Sequence, residues 1–385
     1  MPGRHHARPP SKLRAVRREQ GRTQESVIRL LTGRAHRLNI AVASESALRV
    51  MLSRWENGHD QVTNPDYQRL FREIYGRSNE ELGFPAAPVN EATEELRERL
   101  SLARNLDTST LELFQRQIND LRSADLKFGA LTVLDQLDAQ VRQMEKLRGF
   151  SVSSEHRRRL SAILTDARTL AGWTALDRGS ALRAWSYHED AKVTAREAEA
   201  PHLLAHAAAQ QAVILIDLGE IGQAVELMAY AREVAAGNVA PLLSSWLAAA
   251  HGEGLAAAGR RDDALRAFDQ AAELLPADPV DPQLPFLLLN SGHLARWRGS
   301  ALLRLGDQDT INHLESAVRE LDTGSRTVRG HTGMLVDLAY AYAAAGDRES
   351  ALRHAREAKR LASQIGSDRQ RQRLAALELP SGGRD

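Results

Sequence analysis

The side chains best suited to chemistry in this sequence are cations, and they gather at one end. Residues 1–59 hold twelve lysines and arginines against Glu19, Glu25, Glu45 and Glu56, a net of +8 in a chain whose total is only +1. The remainder carries −7. A basic end on a mildly acidic body is the electrostatic outline of a small polyanion-binding module joined to a regulatory or interaction domain, and a solvated basic tail is the plainer alternative.

Thirteen histidines suggest proton transfer or metal ligation, and their spacing supports neither. His202 and His206 have helical i,i+4 spacing, but HLLAH lacks the glutamate that a zinc hydrolase needs as its base. No GxGxxG, GxxxxGK[ST] or GxSxG string occurs, and His251-Gly252-Glu253-Gly254 follows from small residues that a repeat requires. No cofactor, no metal and no enzymatic role are expected. Cysteine is absent, which excludes disulfides, iron–sulfur clusters and thiolate zinc and fits a reducing cytoplasm. MPGRHHARPP has no apolar stretch behind its basic residues, and the most apolar run, Ala212 to Leu218, is too short for a bilayer and is cut by Asp217. A cytoplasmic chain without a membrane partner is expected.

The elements that must position these groups read as helices. At 385 residues, with 43% hydrophobic and 26% charged side chains, the chain has room for two or three domains with ordinary cores. Two prolines in Gly83-Phe84-Pro85-Ala86-Ala87-Pro88-Val89-Asn90 break it, so the spacing predicts a flexible basic tail at 1–10, a first domain at 11–83 and a linker at 84–90. Within that domain Leu13 and Val16, Val27, Leu30 and Leu31, Leu48, Leu52 and Trp55, and Leu70 and Ile74 recur at three- and four-residue steps. Thr23 reads as an N-cap, and a helix from about Glu45 to Asn57 turns Leu48, Leu52 and Trp55 inward and Arg49, Val50, Ser53 and Arg54 outward. The body from Glu91 to Leu379 is rich in helix formers, which makes the whole chain all-α. Residues 91–150 read as connecting helices or the start of an array; Leu131, Leu134, Leu137, Val141 and Met144 pack onto neighbours rather than form an independent coiled coil.

Internal repetition is the strongest signal in that body. Gly179, Gly219, Gly259, Gly306 and Gly346 stand 40, 40, 47 and 40 residues apart. Seven residues before each lies Gly172, Ala212, Gly252, Gly299 or Ala339; five and twelve after four of them lie the alanine pairs 184/191, 224/231, 264/271 and 351/358. The fifth unit fits with one residue deleted, which places Thr310 and Ala317. The pattern predicts stacked helical hairpins over 151–379, each covered by its neighbour, with a flexible tail at 380–385.

Ala248 to Pro276, AAAHGEGLAAAGRRDDALRAFDQAAELLP, resembles the tetratricopeptide repeat family, with Gly252, Gly259, Ala264, Phe268, Ala271 and Pro276 at the family's spacing. The likeness covers about 165–365, with a period near 40 in place of 34 and several aromatics lost, and it implies an α-solenoid. The proline-rich DPVDPQLP after Ala277 accounts for the one longer interval. Over 11–83, Leu13-Arg14, Thr23-Gln24-Glu25 and Ser53-Arg54-Trp55-Glu56-Asn57-Gly58 resemble the lambda-repressor-like (Xre) helix-turn-helix family, with Pro65 to Phe71 as the supporting helix. An insertion around Thr32 to Ser44 must lengthen the second helix or loop out, and it offers a wing-like or backbone contact through Arg34, His36 and Arg37.

The resemblance implies a DNA-binding surface of Arg22, Thr23, Gln24, Ser46, Arg49, Val50, Ser53 and Arg54 on double-stranded DNA. Gln24 would hold a phosphate and Arg49 would grip guanine O6 and N7 bidentately. Arg54 reads equally as an ion pair with a glutamate, Arg14, Arg17, Arg18 and Arg22 equally as a general phosphate-facing surface, and Trp55 as core. If the array curves like its family, the first helix of each hairpin sends Trp173, Asp177, His206, Asp217, Trp246, Glu253, His293, Arg296, Arg304 and Tyr340 to the concave face, suited to a peptide or a moderately polar small molecule, or left as a solvated groove. The combination resembles bacterial regulators in which an Xre module is controlled by a ligand-sensing repeat domain, which implies a homodimer on an inverted repeat. A repeat-based scaffold that recruits a protein partner, with the basic module localising it to nucleic acid, is the alternative.

Overall fold

The computed structural model describes residues 11–85, 89–104, 106–237, 239–307, 309–321 and 327–380. The basic tail expected at 1–10, residues 86–88 of the expected linker and residues 381–385 lie outside them. Among the described residues every regular element is helical, and no helix is long and apolar enough to cross a membrane. The chain divides into two compact units, Met1–Arg99 and Leu100–Asp385. Helix α6 (Val89–Arg104), numbered in chain order, contains the division and takes in the last two residues of the segment expected as linker.

The first unit is built from α1 (Lys12–Glu19), α2 (Gln24–Leu38), α3 (Glu45–Glu56), α4 (Pro65–Tyr75) and α5 (Asn79–Leu82). Each begins where a short polar side chain satisfies the free backbone N–H groups of the first turn: Ser11, Thr23, Ser44, Asn64 and Ser78 all accept such a bond. Leu13, Val27, Leu31, Leu48, Leu52, Leu70 and Phe71 form the centre of one core, with Trp55 wedged between Tyr67 and Phe71 at ring separations of 5.2 and 5.8 Å. The insertion does both things open to it. It extends α2 to Leu38, which stops at Asn39 in a left-handed conformation (φ 54°), and it forms a connection whose Ala43 N–H donates to the Tyr67 hydroxyl at 2.9 Å.

The second unit opens with α7 (Thr108–Phe128) and α8 (Leu134–Phe150), both packed on α9. In the segment expected to pack onto its neighbours, Leu137, Val141 and Met144 are buried, whereas Leu131 is largely exposed. Five antiparallel pairs follow: α9 (Ser154–Asp177) with α10 (Ala181–Glu197), α11 (Pro201–Leu218) with α12 (Ile221–Ala235), α13 (Pro241–Ala257) with α14 (Arg261–Leu274), α15 (Ser291–Arg304) with α16 (Thr310–Leu321), and α17 (Val328–Ala344) with α18 (Arg348–Ile365). A short α19 (Asp368–Ala375) ends the array. The five periodic glycines each take the left-handed turn between paired helices, with φ from 66° to 82°. The alanines five and twelve residues further on are fully buried, as is Ala317.

Close approach explains the small residue seven positions before the turn. A Cβ on Gly252 would lie 2.9 Å from the Phe268 ring, so α13 and α14 meet there with backbone against side chain. Gly252→Val is expected to destabilise the second unit by about 1–3 kcal/mol through overpacking. Gly222→Ala, with open space around the new Cβ and no positive φ, should be neutral or stabilising by about 0.5–1 kcal/mol. Urea unfolding of the two variants side by side checks the contrast.

The array also turns back on itself. Helix α19 packs against α9, and α17 against α7. Asp177 accepts from Ser367 Oγ at 2.6 Å, Arg178 Nη1 donates to the Gly366 carbonyl at 3.1 Å, and Arg329 forks onto Asp125 at 2.8 and 2.5 Å. The end of the array thus packs back against its start.

Candidate functional site

Two regions bring sequence-selected residues together, one in each unit. In the first, α3 is held by its inner stripe and by a buried ion pair. Glu56, 1% exposed, receives Arg17 Nε at 2.5 Å and Nη2 at 2.8 Å, and Gln24 Nε2 donates to the same carboxylate at 2.8 Å. Arg17 also donates to the Arg22 carbonyl. One carboxylate thus ties α1 and the start of α2 to the end of α3 and fixes the face that α3 turns outward.

That outward face carries Ser46, Arg49, Val50 and Arg54 exposed and Ser53 half-buried. Arg49 meets only Glu25, at 3.5 Å, with side chains 61% and 72% exposed. An exposed pair of that kind contributes about 0–1 kcal/mol, so the guanidinium is readily redirected. Thr23 caps α2, accepting from Ser26 N–H at 3.1 Å.

Gln24 and several of the arginines are engaged within the unit. Gln24 donates its amide to the Glu56 oxygen that Arg17 Nη2 also reaches. Arg17 is withdrawn from any phosphate-facing surface by the same carboxylate, while Arg18 remains exposed and Arg14 binds Asn57 Oδ1 at 2.9 Å. Arg22 lies over the Tyr75 ring, 5.6 Å from its centroid. Arg54 is paired, but with Asp60 rather than a glutamate, at 2.5 and 3.1 Å, since the turn after Gly58 brings the aspartate back alongside. Arg34 bonds Glu73 on α4 at 3.4 Å; of the insertion's nitrogen-bearing side chains, His36 and Arg37 are the exposed ones.

In the second unit, the first helices of the pairs surround a cavity of about 780 Å³. Trp173, His206, Asp217, Trp246, Glu253, His293, Arg296, Arg304 and Tyr340 all line it. Asp177 does not: at 3% exposure it is spent on Ser367 and Arg329, joining the two ends of the array. The apolar part of the wall is aromatic. Trp246 and Trp297 lie 5.6 Å apart, and the His206 ring sits 5.0 Å from Trp246 and 4.5 Å from Phe286.

The charged part is almost fully paired. Arg369 forks onto Asp217 at 2.5 and 2.8 Å, Arg373 reaches Asp337 at 2.7 Å, and Arg122 reaches Asp166 at 2.6 Å. Glu253 accepts the Trp297 indole N–H at 2.6 Å and lies 3.8 Å from Arg304. Burial opposes the charge of Arg329, yet Asp125 and Asp177 raise its pKa; Asp217 does the same for Arg369. For Arg296 burial prevails and the pKa falls, with Asp337 and Glu253 acting only from a distance. Burial lowers His293 to about 4 and His206 well below its usual value, so both rings are neutral at physiological pH.

Several wall residues escaped the sequence reading. Leu170, Gln210, Ala250, Trp297 and Asp337 each stand two residues before the small repeat position, and all five line the cavity. The repeat register, extended by that one layer, would have found them. Phe286, Leu288 and Leu289 come from the irregular stretch before α15, within the longer interval, and no periodicity points to them. Arg369 and Arg373 reach the cavity from α19, where the array turns back on itself.

No family model matches the chain, and no curated protein matches it.

Proposed function

We propose that this protein is a sequence-specific DNA-binding transcriptional regulator, with α3 as its base-reading helix and the cavity of the second unit as the site of a controlling effector. The observation that carries the reading is the split character of α3. Its inner face is locked by Leu48, Leu52, Trp55 and the buried Glu56, while Ser46, Arg49, Val50 and Ser53 point away from the core. A rigid helix that offers one lightly held guanidinium, two hydroxyls and a methyl-bearing side chain has what major-groove readout uses: a fork for guanine, short polar contacts and an apolar partner for the thymine methyl. The resemblance of residues 11–83 to the Xre helix-turn-helix family points the same way, and the net +8 of residues 1–59 supplies the attraction for phosphate.

One such head touches few bases, so high specificity favours a homodimer on an inverted repeat. The tandem hairpins fit the tetratricopeptide-like reading of the array, and a cavity of about 780 Å³ falls within the range of pockets that enclose small ligands. To switch occupancy, the effector must bind one arrangement of the protein better than another, because equal affinity for both shifts nothing.

Arg49→Ala tests the base-reading assignment. Folding should be unchanged, because the pair with Glu25 is exposed, while discrimination at one operator position should fall by about 1–3 kcal/mol. Binding selections from a randomised duplex library, run with wild type and variant, should differ at that position alone. An equal loss on every sequence would make Arg49 a phosphate contact instead.

A further inference from the structure

We infer that the effector cavity takes an organic anion of small-molecule size with an aromatic or aliphatic body, and that Arg296 receives its acidic group. This rests on the reading of the cavity as a ligand site and adds the chemical class of the ligand.

Arg296 projects from α15 into the cavity wall with its Nε buried and without a hydrogen-bond partner, and no ion pair reaches its guanidinium among the described residues. The other five arginines of the wall, Arg122, Arg304, Arg329, Arg369 and Arg373, each have a carboxylate. The carboxylates nearest to Arg296 are already occupied. Asp337 accepts from Ser300 and Arg373, and Glu253 accepts from Trp297 and faces Arg304. One turn before Arg296, His293 adds a second polar group, its Nδ1 buried and unpartnered.

A guanidinium cannot shed its proton to escape this cost, as a buried lysine or histidine can. A buried, unpaired cation is destabilising unless something negative meets it. The fold withholds a carboxylate at this one position and supplies one at five others. Trp246, Trp297, Phe286 and Leu289 offer the matching apolar surface beside it. Cation and aromatic wall together describe the complement of an amphiphilic anion, with the neutral His293 ring able to donate one further bond.

The test uses the full chain and two fluorescent probes with the same rings: 8-anilinonaphthalene-1-sulfonate, an anion, and N-phenyl-1-naphthylamine, which lacks the sulfonate. Wild type should bind one anionic probe per chain saturably. Arg296→Met should weaken that binding at least tenfold and leave the neutral probe within about threefold, and Arg266→Met, which removes an exposed arginine paired with Asp263, should change neither. Without ligand, Arg296→Met should also raise the melting temperature, since it removes an unpaired, half-buried charge whose Nε is shielded from water. Equal effects on both probes, or none, would overturn the anion assignment and leave the cavity a ligand site. Failure of both probes to bind would overturn the cavity reading itself. A lower melting temperature or failure of Arg296→Met to fold would make Arg296 a structural residue and refute the inference.

Discussion

Glu56→Gln is expected to cost the first unit about 3–5 kcal/mol, enough to unfold it under mild denaturant. The glutamine leaves Arg17, only 12% exposed at its side chain, without a counter-charge, and removes the charged acceptor on which Gln24 also converges. It breaks the link between α1, α2 and α3 at its centre. Replacing both partners should be far milder, because Arg17→Met with Glu56→Met removes the desolvation of two ions along with their attraction. Amide hydrogen exchange of residues 12–82 in the full chain measures both. Exchange in Glu56→Gln should accelerate throughout α1 to α4, whereas the double variant should stay close to wild type. Unchanged protection in the single variant would show that the ion pair does not hold α3 in place.

The second large effect is acid lability of the second unit. His188 is fully buried beneath Gly172 with both ring nitrogens unpartnered, and burial lowers its pKa to about 3. Burial acts likewise on His206, on His293 at about 4 and on His251 at about 4. These values lie below the unfolded value of about 6.5, so on acidification the unfolded chain takes up protons first. Stability is complete above about pH 6.5 and declines as pH falls towards 4, by up to about 1.4 kcal/mol per pH unit for the fully buried His188 and His206 and by less for the more exposed His251, whose charge solvent screens. Carboxylates whose pKa is lowered, such as Glu197 beside Arg157 and Arg148, add their losses at the acid end of this range and below it. Calorimetry at pH 7.5 and pH 5.0 should therefore show a large drop in melting temperature. His188→Leu forfeits no hydrogen bond and should flatten the dependence. A melting temperature indifferent to pH across that interval would mean that these histidines carry their protons in the folded state.

How far the sequence announces this molecule depends on which physical demand a residue answers. Gly219 and Gly346 were legible because a left-handed turn excludes other side chains, and Ala264 and Ala271 because two backbones meet there. The same register found nine of the residues that line the cavity, since a residue's place on a repeated helix decides which way it faces. The stripe Leu48, Leu52, Trp55 was legible for the same reason. Pairings between distant charges were not. Nothing in the spacing says that Arg17 serves Glu56 while Arg18 stays exposed, or that Asp177 belongs to Ser367, 190 positions away. Phe286 escaped because it sits in an aperiodic interval, where composition marks a break in the pattern and gives no direction. Arg296 was found as a wall residue, but its lack of a partner is a property of the assembled unit alone.

If α3 reads a specific DNA sequence, the protein must pick out discrete sites among many. Footprinting of purified full-length protein on genomic fragments at near-physiological salt tests it most directly. Discrete protection over an inverted repeat is expected, persisting at salt concentrations where non-specific binding is lost. Uniform protection without a preferred site, titrated away by modest salt, would contradict it and leave the basic unit as a device for localising the protein on nucleic acid.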